Sequence, residues 1–271
     1  MLKILVTVKQ VPETSNVKMD TVTGTVIRSG VESVVNPLDL YAIETALRLK
    51  ELYGGEVTAV SMGPPSAMRV LREAAAMGCD RCALLSDRRF SGADTWATSY
   101  TLARGVKKIQ EMIPGSFDVI VAGERATDGD TGQVGPALAA WLDLPVLGYV
   151  SKIGEIAGGR IQAERLTEEG YEMLDAPLPC LITVVKEIAV PRLPTLAGKI
   201  RSGEMDIPVF SADDLELNFE YIGLRGSPTR VVKIDTPSVS RGGRMIKVQD
   251  EESLNAAADE LMALLKKKGF V

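Results

Sequence analysis

The chain has 271 residues, 45% of them hydrophobic, 25% charged and 5% aromatic, a balance that excludes collagen-like and wholly disordered chains. Lys and Arg total 31 against 36 Asp and Glu, a formal net charge of −5, and no basic stripe stands out, so nucleic acid and anionic membrane are not expected partners. The histidine count is 0, which excludes a histidine general base, a Ser-His-Asp triad and a histidine-bound zinc.

The opening run from Met1 to Lys9 is too short in apolar residues for a signal peptide. No stretch approaches the roughly 20 apolar residues of a membrane span, and the expected location is the cytoplasm. Lys3 to Val8 reads as a strand, and Val17 to Arg28 as a hairpin turning at Thr23-Gly24. Asn36-Pro37 opens a helix, with Asn at the N-cap, Pro at the first helical position and Asp39 in the first turn. Leu38, Ala42, Ala46 and Leu49 form its apolar stripe, and Gly54-Gly55 stops it. A strand from Val57 to Met62, a break at Gly63-Pro64-Pro65 and a helix from about Ser66 to Met77 follow. Next come a strand at Cys82 to Leu85, a helix from Thr95 to Met112 and a strand at Val119 to Ala122. The loop Gly123 to Gly132 leads into a helix from Gln133 to Leu142, and Val146 to Val150 reads as another strand.

Strands alternating with helices specify an α/β fold with a doubly wound, mostly parallel sheet. From about Ile153 the texture changes: short β runs broken at Gly158-Gly159 and Glu169-Gly170 suggest added antiparallel strands, and Leu181 to Val185 is apolar enough for a buried one. Residues 1–223 are expected to form one α/β domain. Residues 224–271 are expected to form an arm: Leu224 to Gly243 lacks periodicity, and Asp250 then caps a helix bearing Leu254, Ala257, Leu261 and Leu264. From pattern alone such an arm docks equally on a partner chain or on its own domain.

In an open parallel sheet, ligands bind beyond the carboxyl ends of the strands. Four loops leave such ends. Their candidate residues are Thr7 and Lys9 after the first strand, Asn36 and Asp39 at the first helix, and Met62 and Gly63 after the next strand. The richest loop supplies Gly123, Arg125, Ala126, Thr127, Asp128, Asp130, Thr131, Gly132, Gln133 and Val134. Asp130 with Gln133 reads as a capping box, which leaves the N–H groups of Gly132 to Val134 for a phosphate at a helix N-terminus. From spacing alone a capped surface loop is an equal reading. No Gly-x-Gly-x-x-Gly or Walker A lysine loop is present. Cys79-Asp-Arg-Cys82 follows a helix and enters a strand, the reverse of a redox C-x-x-C, so these read as structural thiols. Pro191 to Gly198 reads as an exposed turn with a short helix, whose Leu193 and Leu196 are either core or a protein contact.

In order along the chain, these segments resemble the β subunit of electron transfer flavoproteins. The likeness runs through Leu5-Val-Thr-Val-Lys9, Asn36-Pro-Leu-Asp39, Val60-Ser-Met-Gly-Pro64 and Met77-Gly-Cys-Asp-Arg81. Ala163 to Thr183 resembles the family's signature, with Arg165, Glu168, Glu169, Glu172, Leu174, Pro179, Leu181, Ile182 and Thr183 at matching spacings. Pro191 to Gly198 resembles its recognition loop, which makes Leu196 the residue that anchors on partner dehydrogenases.

The resemblance implies a heterodimer with an α subunit that carries FAD, and an adenine nucleotide bound by this chain. Asp39, where respiratory members often have cysteine, and Asp128 to Gly135 resemble the electron-bifurcating branch, although Gly132 stands where alanine is expected. That branch holds FAD in place of AMP and takes hydride from NADH. It sends one electron through the α-subunit FAD to an acyl-CoA dehydrogenase-type flavoprotein and the other to ferredoxin or flavodoxin. Alternatives are a non-bifurcating subunit with structural AMP, or a stand-alone adenine-nucleotide-binding protein.

Overall fold

The computed structural model describes residues 1–13, 33–230 and 245–271. The hairpin expected at Val17 to Arg28 and the later part of the Leu224 to Gly243 arm lie outside the described residues. The chain divides into two compact units, Met1–Val232 and Lys233–Val271. The division therefore falls later than the 223/224 boundary read from the sequence. Leu224 to Thr229 lack periodicity, yet the Leu224 N–H donates to the Ser91 carbonyl at 3.0 Å and Asp94 accepts from Thr229. No helix among the described residues is long and apolar enough to cross a membrane.

The first unit runs β1 (Leu2–Thr7), β2 (Gln10–Pro12), β3 (Ser33–Val35), α1 (Pro37–Tyr53), β4 (Gly55–Met62), α2 (Met68–Met77), β5 (Arg81–Leu85) and α3 (Thr95–Gln110). It continues with β6 (Val119–Gly123), α4 (Val134–Leu142), β7 (Val146–Ala157), β8 (Arg160–Thr167), β9 (Gly170–Pro177), β10 (Cys180–Val184), α5 (Leu196–Glu204) and β11 (Val209–Phe210). The large sheet has the order β11-β5-β4-β1-β6-β10-β7-β8-β9. Pairing is parallel from β11 to β7 and antiparallel across β7-β8-β9, turning at Gly158-Gly159 and ahead of Gly170. β2 and β3 form a separate antiparallel pair.

Strand alternation sorts the core onto both faces of the sheet. Ile4, Val6, Val57, Ala59, Val119, Val121 and Ile182 pack with Ala42, Ile43 and Ala46 of α1 and with Val70, Leu71 and Ala74 of α2. Leu5, Val60, Ile120 and Leu181 pack with Tyr100, Ala103 and Val106 of α3 and with Leu138 and Ala139 of α4. This is the near-continuous apolar strand pattern of a sheet covered on both faces. Cys79, Cys82 and Cys180 are buried in it as free thiols, and burial pushes the Cys82 thiol up to about 12.

The second unit carries α6 (Glu251–Lys268). Asp250 caps it reciprocally with Ser253, and Gly269 closes it in the left-handed conformation.

From β1 the chain steps outward to β4 and β5, then crosses back to place β6 on the other side of β1. The strand order reverses between β1 and β6. This is the switch point, where an open α/β sheet offers its ligand crevice beyond the carboxyl ends of the strands.

Candidate nucleotide site at the switch point

The loops after β1 and β6 meet at this crevice, joined by the start of α1. The Lys9 N–H donates to Asp39 Oδ2 at 2.7 Å, and the Lys9 carbonyl accepts from the Asn36 N–H at 2.8 Å. Asn36 stands at the N-cap of α1 but makes no side-chain cap. Its amide faces across the crevice instead: Nδ2 donates to Asp39 Oδ1 and to the Arg125 carbonyl, both at 2.9 Å, and Oδ1 accepts from the Thr127 N–H at 3.2 Å. Lys9 Nζ closes the same gap onto Asp128 Oδ1 at 2.6 Å.

Asp39 is buried. Burial pushes its carboxyl up to about 7, against the donations from Asn36 and Lys9 and the Lys9 charge, which pull it down; the Asp128 charge adds to the rise. Gly123 ends β6 directly beside it. A Cβ there would sit 2.5 Å from Asp39 Oδ1 and 2.9 Å from the Leu38 carbonyl carbon, so only glycine allows this approach.

Beyond Arg125 the loop turns on the Ala126 carbonyl, which accepts from the Gly129 and Asp130 N–H groups. The expected Asp130–Gln133 capping box does not form. Asp130 (φ 55) and Gly132 (φ 66) are both left-handed, which delays the helix to Val134 and leaves Gln133 at the N-cap with no side-chain cap. Asp130 pairs with Arg125 at 3.0 Å, and Gln133 Oε1 accepts from Thr95 Oγ1 at 3.1 Å. Among the described residues, no backbone or side-chain acceptor takes the N–H groups of Gly132, Gln133 or Val134. Pro136 in the first turn has no N–H to satisfy.

Thr7, Lys9, Asn36, Asp39, Gly123, Arg125, Ala126, Thr127 and Asp128 are thus brought to one strand-end cluster, continuous with Asp130, Gly132, Gln133 and Val134. Thr131 is exposed on the same loop. Met62 ends the neighbouring β4 and Gly63 follows it, its N–H donating to the Leu85 carbonyl at 3.0 Å. Leu196 starts α5, which packs on α2, and belongs to a different surface.

Other residues at the site were not foreseen. A shallow cavity of about 430 Å³ lies at the α4 N-terminus, lined by Thr95, Trp96, Gly132, Gln133, Pro136 and Ala137. Trp96 belongs to an aromatic cluster with Tyr100, Trp141 and Tyr221, its ring centroid 5.0 Å from that of Tyr221. The available signal was the i, i+4 pair Trp96 and Tyr100 in one helix. Ser61 Oγ, beside Met62 at the end of β4, is buried with no hydrogen-bond partner among the described residues.

A doubly wound sheet with its loops stitched across the switch point, and an uncapped helix N-terminus at that crevice, defines a protein of the nucleotide-binding α/β class. Residues 23–215 match the Electron transfer flavoprotein domain. The chain is 43% identical over 261 residues to electron transfer flavoprotein subunit beta of Thermoanaerobacterium thermosaccharolyticum, covering 96% of this chain and 98% of that one. It is 41% identical over 270 residues to the same subunit of Clostridium acetobutylicum, covering 100% of both chains. It is also 44% identical over 271 residues to the Caffeyl-CoA reductase-Etf complex subunit CarD of Acetobacterium woodii, again covering 100% of both. The chain belongs to the electron transfer flavoprotein family, on the side of its beta subunits.

Proposed function

We propose that this chain is the β subunit of a cytoplasmic, heterodimeric, electron-bifurcating flavoprotein, and that its switch-point crevice holds FAD. The observation that carries the bifurcating reading is the 44% identity over 271 residues to a subunit whose name places it in a complex with a caffeyl-CoA reductase. That name also supports an acyl-CoA dehydrogenase-type flavoprotein as acceptor.

The residues present fit a nucleotide. Among the described residues, three consecutive N–H groups at the start of α4, from Gly132 to Val134, have no acceptor, in a position that suits phosphate oxygens. Lys9 is already paired with Asp128, so backbone dipoles rather than a lysine ammonium would meet the phosphates. Asn36 and Asp39 would hold the loop against the crevice, and Trp96 would wall its outer side. The chemistry that FAD supplies when bound is hydride acceptance from NADH and separate release of two electrons, one to ferredoxin or flavodoxin and one through the α-subunit FAD. Positioning and electrostatics are all the chain must add, and a protein with 0 histidines can supply both.

The test is the nucleotide content of the purified heterodimer. Two FAD per αβ pair without AMP, and anaerobic bleaching of the flavin by NADH, are the expected results. One FAD with one AMP and no response to NADH would make it a non-bifurcating carrier. A nucleotide bound by this chain without any α partner would favour a stand-alone nucleotide-binding protein.

A further inference from the structure

We infer that Arg192 is a positioning residue that clamps the exposed 189–196 segment onto α1 in the shape that receives the acceptor flavoprotein. This rests on the reading of Leu196 as the docking anchor.

The segment follows β10 and a short turn at Lys186–Ile188, and enters α5 at Leu196. Both of its ends are fixed. Upstream lies the buried strand β10. Downstream, Arg201 donates to the Ala75 carbonyl at 2.7 Å, Arg72 donates to the carbonyls of Ser202 and Met205, and a Cβ on Gly198 would overlap the Ala76 carbonyl oxygen. Between these ends nothing in the backbone holds the chain. Among the described residues, no backbone–backbone hydrogen bond involves residues 189–194, and Pro191 and Pro194 lack donors altogether. The side chains of Val190 and Leu193 project into solvent at 80% and 86% exposure, and Leu196 at 77%, while Ala189, Pro191 and Pro194 are only half-buried, so packing holds the segment weakly.

Arg192 supplies the restraint. Its N–H and Nε donate to Glu44 Oε2 at 3.1 and 2.8 Å, and Nη2 reaches Glu44 Oε1 at 3.2 Å. Nη1 and Nη2 grip Glu51 at 2.5 and 3.1 Å. One guanidinium thus spans two carboxylates about two turns apart on one face of α1, a geometry that arginine's planar fork allows and lysine's point charge does not. Glu44 is buried, with Arg48 on its other oxygen at 2.8 Å. Burial pushes the Glu44 carboxyl up, but the donations from Arg192 and Arg48 outweigh it and hold it below its usual range. A buried, charge-assisted anchor of this kind holds better than a solvated surface pair.

Without the clamp, the segment would sample many conformations and pay ordering entropy on docking, which weakens encounter without touching the chemistry. The experiment uses the heterodimer carrying Arg192→Gln, Arg192→Lys, Glu51→Gln or Leu196→Ala. Protein acceptor is a short-chain acyl-CoA dehydrogenase; dichlorophenolindophenol is the small acceptor that needs no docking. In Arg192→Gln, exchange of the backbone amide at position 192, which donates to Glu44 Oε2 at 3.1 Å, should accelerate about tenfold while α1 stays protected. KM for the dehydrogenase should rise about fivefold to twentyfold, with kcat and the dye rate unchanged. Arg192→Lys should fall between, and Glu51→Gln, an exposed change that leaves the buried Glu44 paired, should move both readouts in the same direction by less.

Unchanged exchange in Arg192→Gln, or in Glu51→Gln should the former misfold, would overturn the clamp. Faster exchange with an unchanged KM, while Leu196→Ala raises KM, would overturn the positioning role alone. If Leu196→Ala also leaves KM unchanged, the docking reading fails and this inference falls with it.

Discussion

At Asp39, burial and hydrogen bonding pull one carboxyl in opposite directions. Both oxygens accept from donors, the Lys9 N–H and Asn36 Nδ2, which favours the anion; burial beside α1 disfavours it more and raises the carboxyl to about 7. The folded chain therefore keeps this proton to about pH 7, whereas the unfolded chain releases it near 3.8. Across that interval the folded state binds more protons, so this group's contribution to stability is fullest near pH 4 and is lost as pH rises to about 7. Its slope is at most about 1.4 kcal/mol per pH unit. Asp39→Asn removes the slope but leaves one of the two donors facing an amide NH2, so the variant should retain nucleotide poorly at every pH. Denaturant unfolding of both proteins from pH 5 to 8 checks the first expectation, and nucleotide content checks the second. Parallel pH curves would mean that Asp39 is ionised throughout.

Among the elements, α4 shows most clearly what the sequence carries and what it conceals. Its apolar residues and its place after a strand were legible, as were the parallel strands, whose period separates cleanly from that of the helices. The start was misread because Asp130 and Gln133 have capping-box spacing, while the left-handed Asp130 and Gly132 that displace the helix leave no mark in spacing. The same limit hid Glu44. It lies within the apolar stretch of α1, and its partner Arg192 is 148 positions away. Leu224 to Thr229 look like a free arm only because hydrogen bonds to Ser91 and Asp94 have no periodicity. The strand-end residues of the site were legible from the topological rule, whereas Trp96 required the packing of α3 against α4. The test of α4 follows from its unused donors. Gln133→Pro removes one N–H and should empty the nucleotide site, with circular dichroism of the core retained. Gln133→Ala keeps the N–H, loses only the Thr95 contact and should keep most of the nucleotide. Equal nucleotide content in the two variants would show that these N–H groups do not hold phosphate.

For the whole molecule, the question is what the second unit is for. α6 is specified locally at both ends. It has a reciprocal Asp250–Ser253 cap, acidic Glu251 and Glu252 in the first turn, basic Lys266, Lys267 and Lys268 in the last, and a left-handed Gly269. These features start and stop a helix, but most helical stability in proteins comes from packing of an apolar face. Leu254, Leu261 and Leu264 provide such a face at helical spacing and are exposed, 53%, 55% and 53%. In a family whose beta subunits work with an alpha subunit, that face is expected to meet the partner. Cutting after Gly223 would confuse the issue, because it also removes Leu224, Ser227 and Thr229, which bond within the first unit. The cut belongs after Val232, where the first unit ends. A chain ending there should keep its α/β circular dichroism and a cooperative unfolding transition. It should also lose α-subunit association by at least about a hundredfold, as expected when an interface loses a cluster of buried leucines each worth on the order of 1 kcal/mol or more. Sedimentation of the mixed subunits reads this directly, and a truncated chain that assembles at the full-length affinity would assign α6 to a role outside the heterodimer.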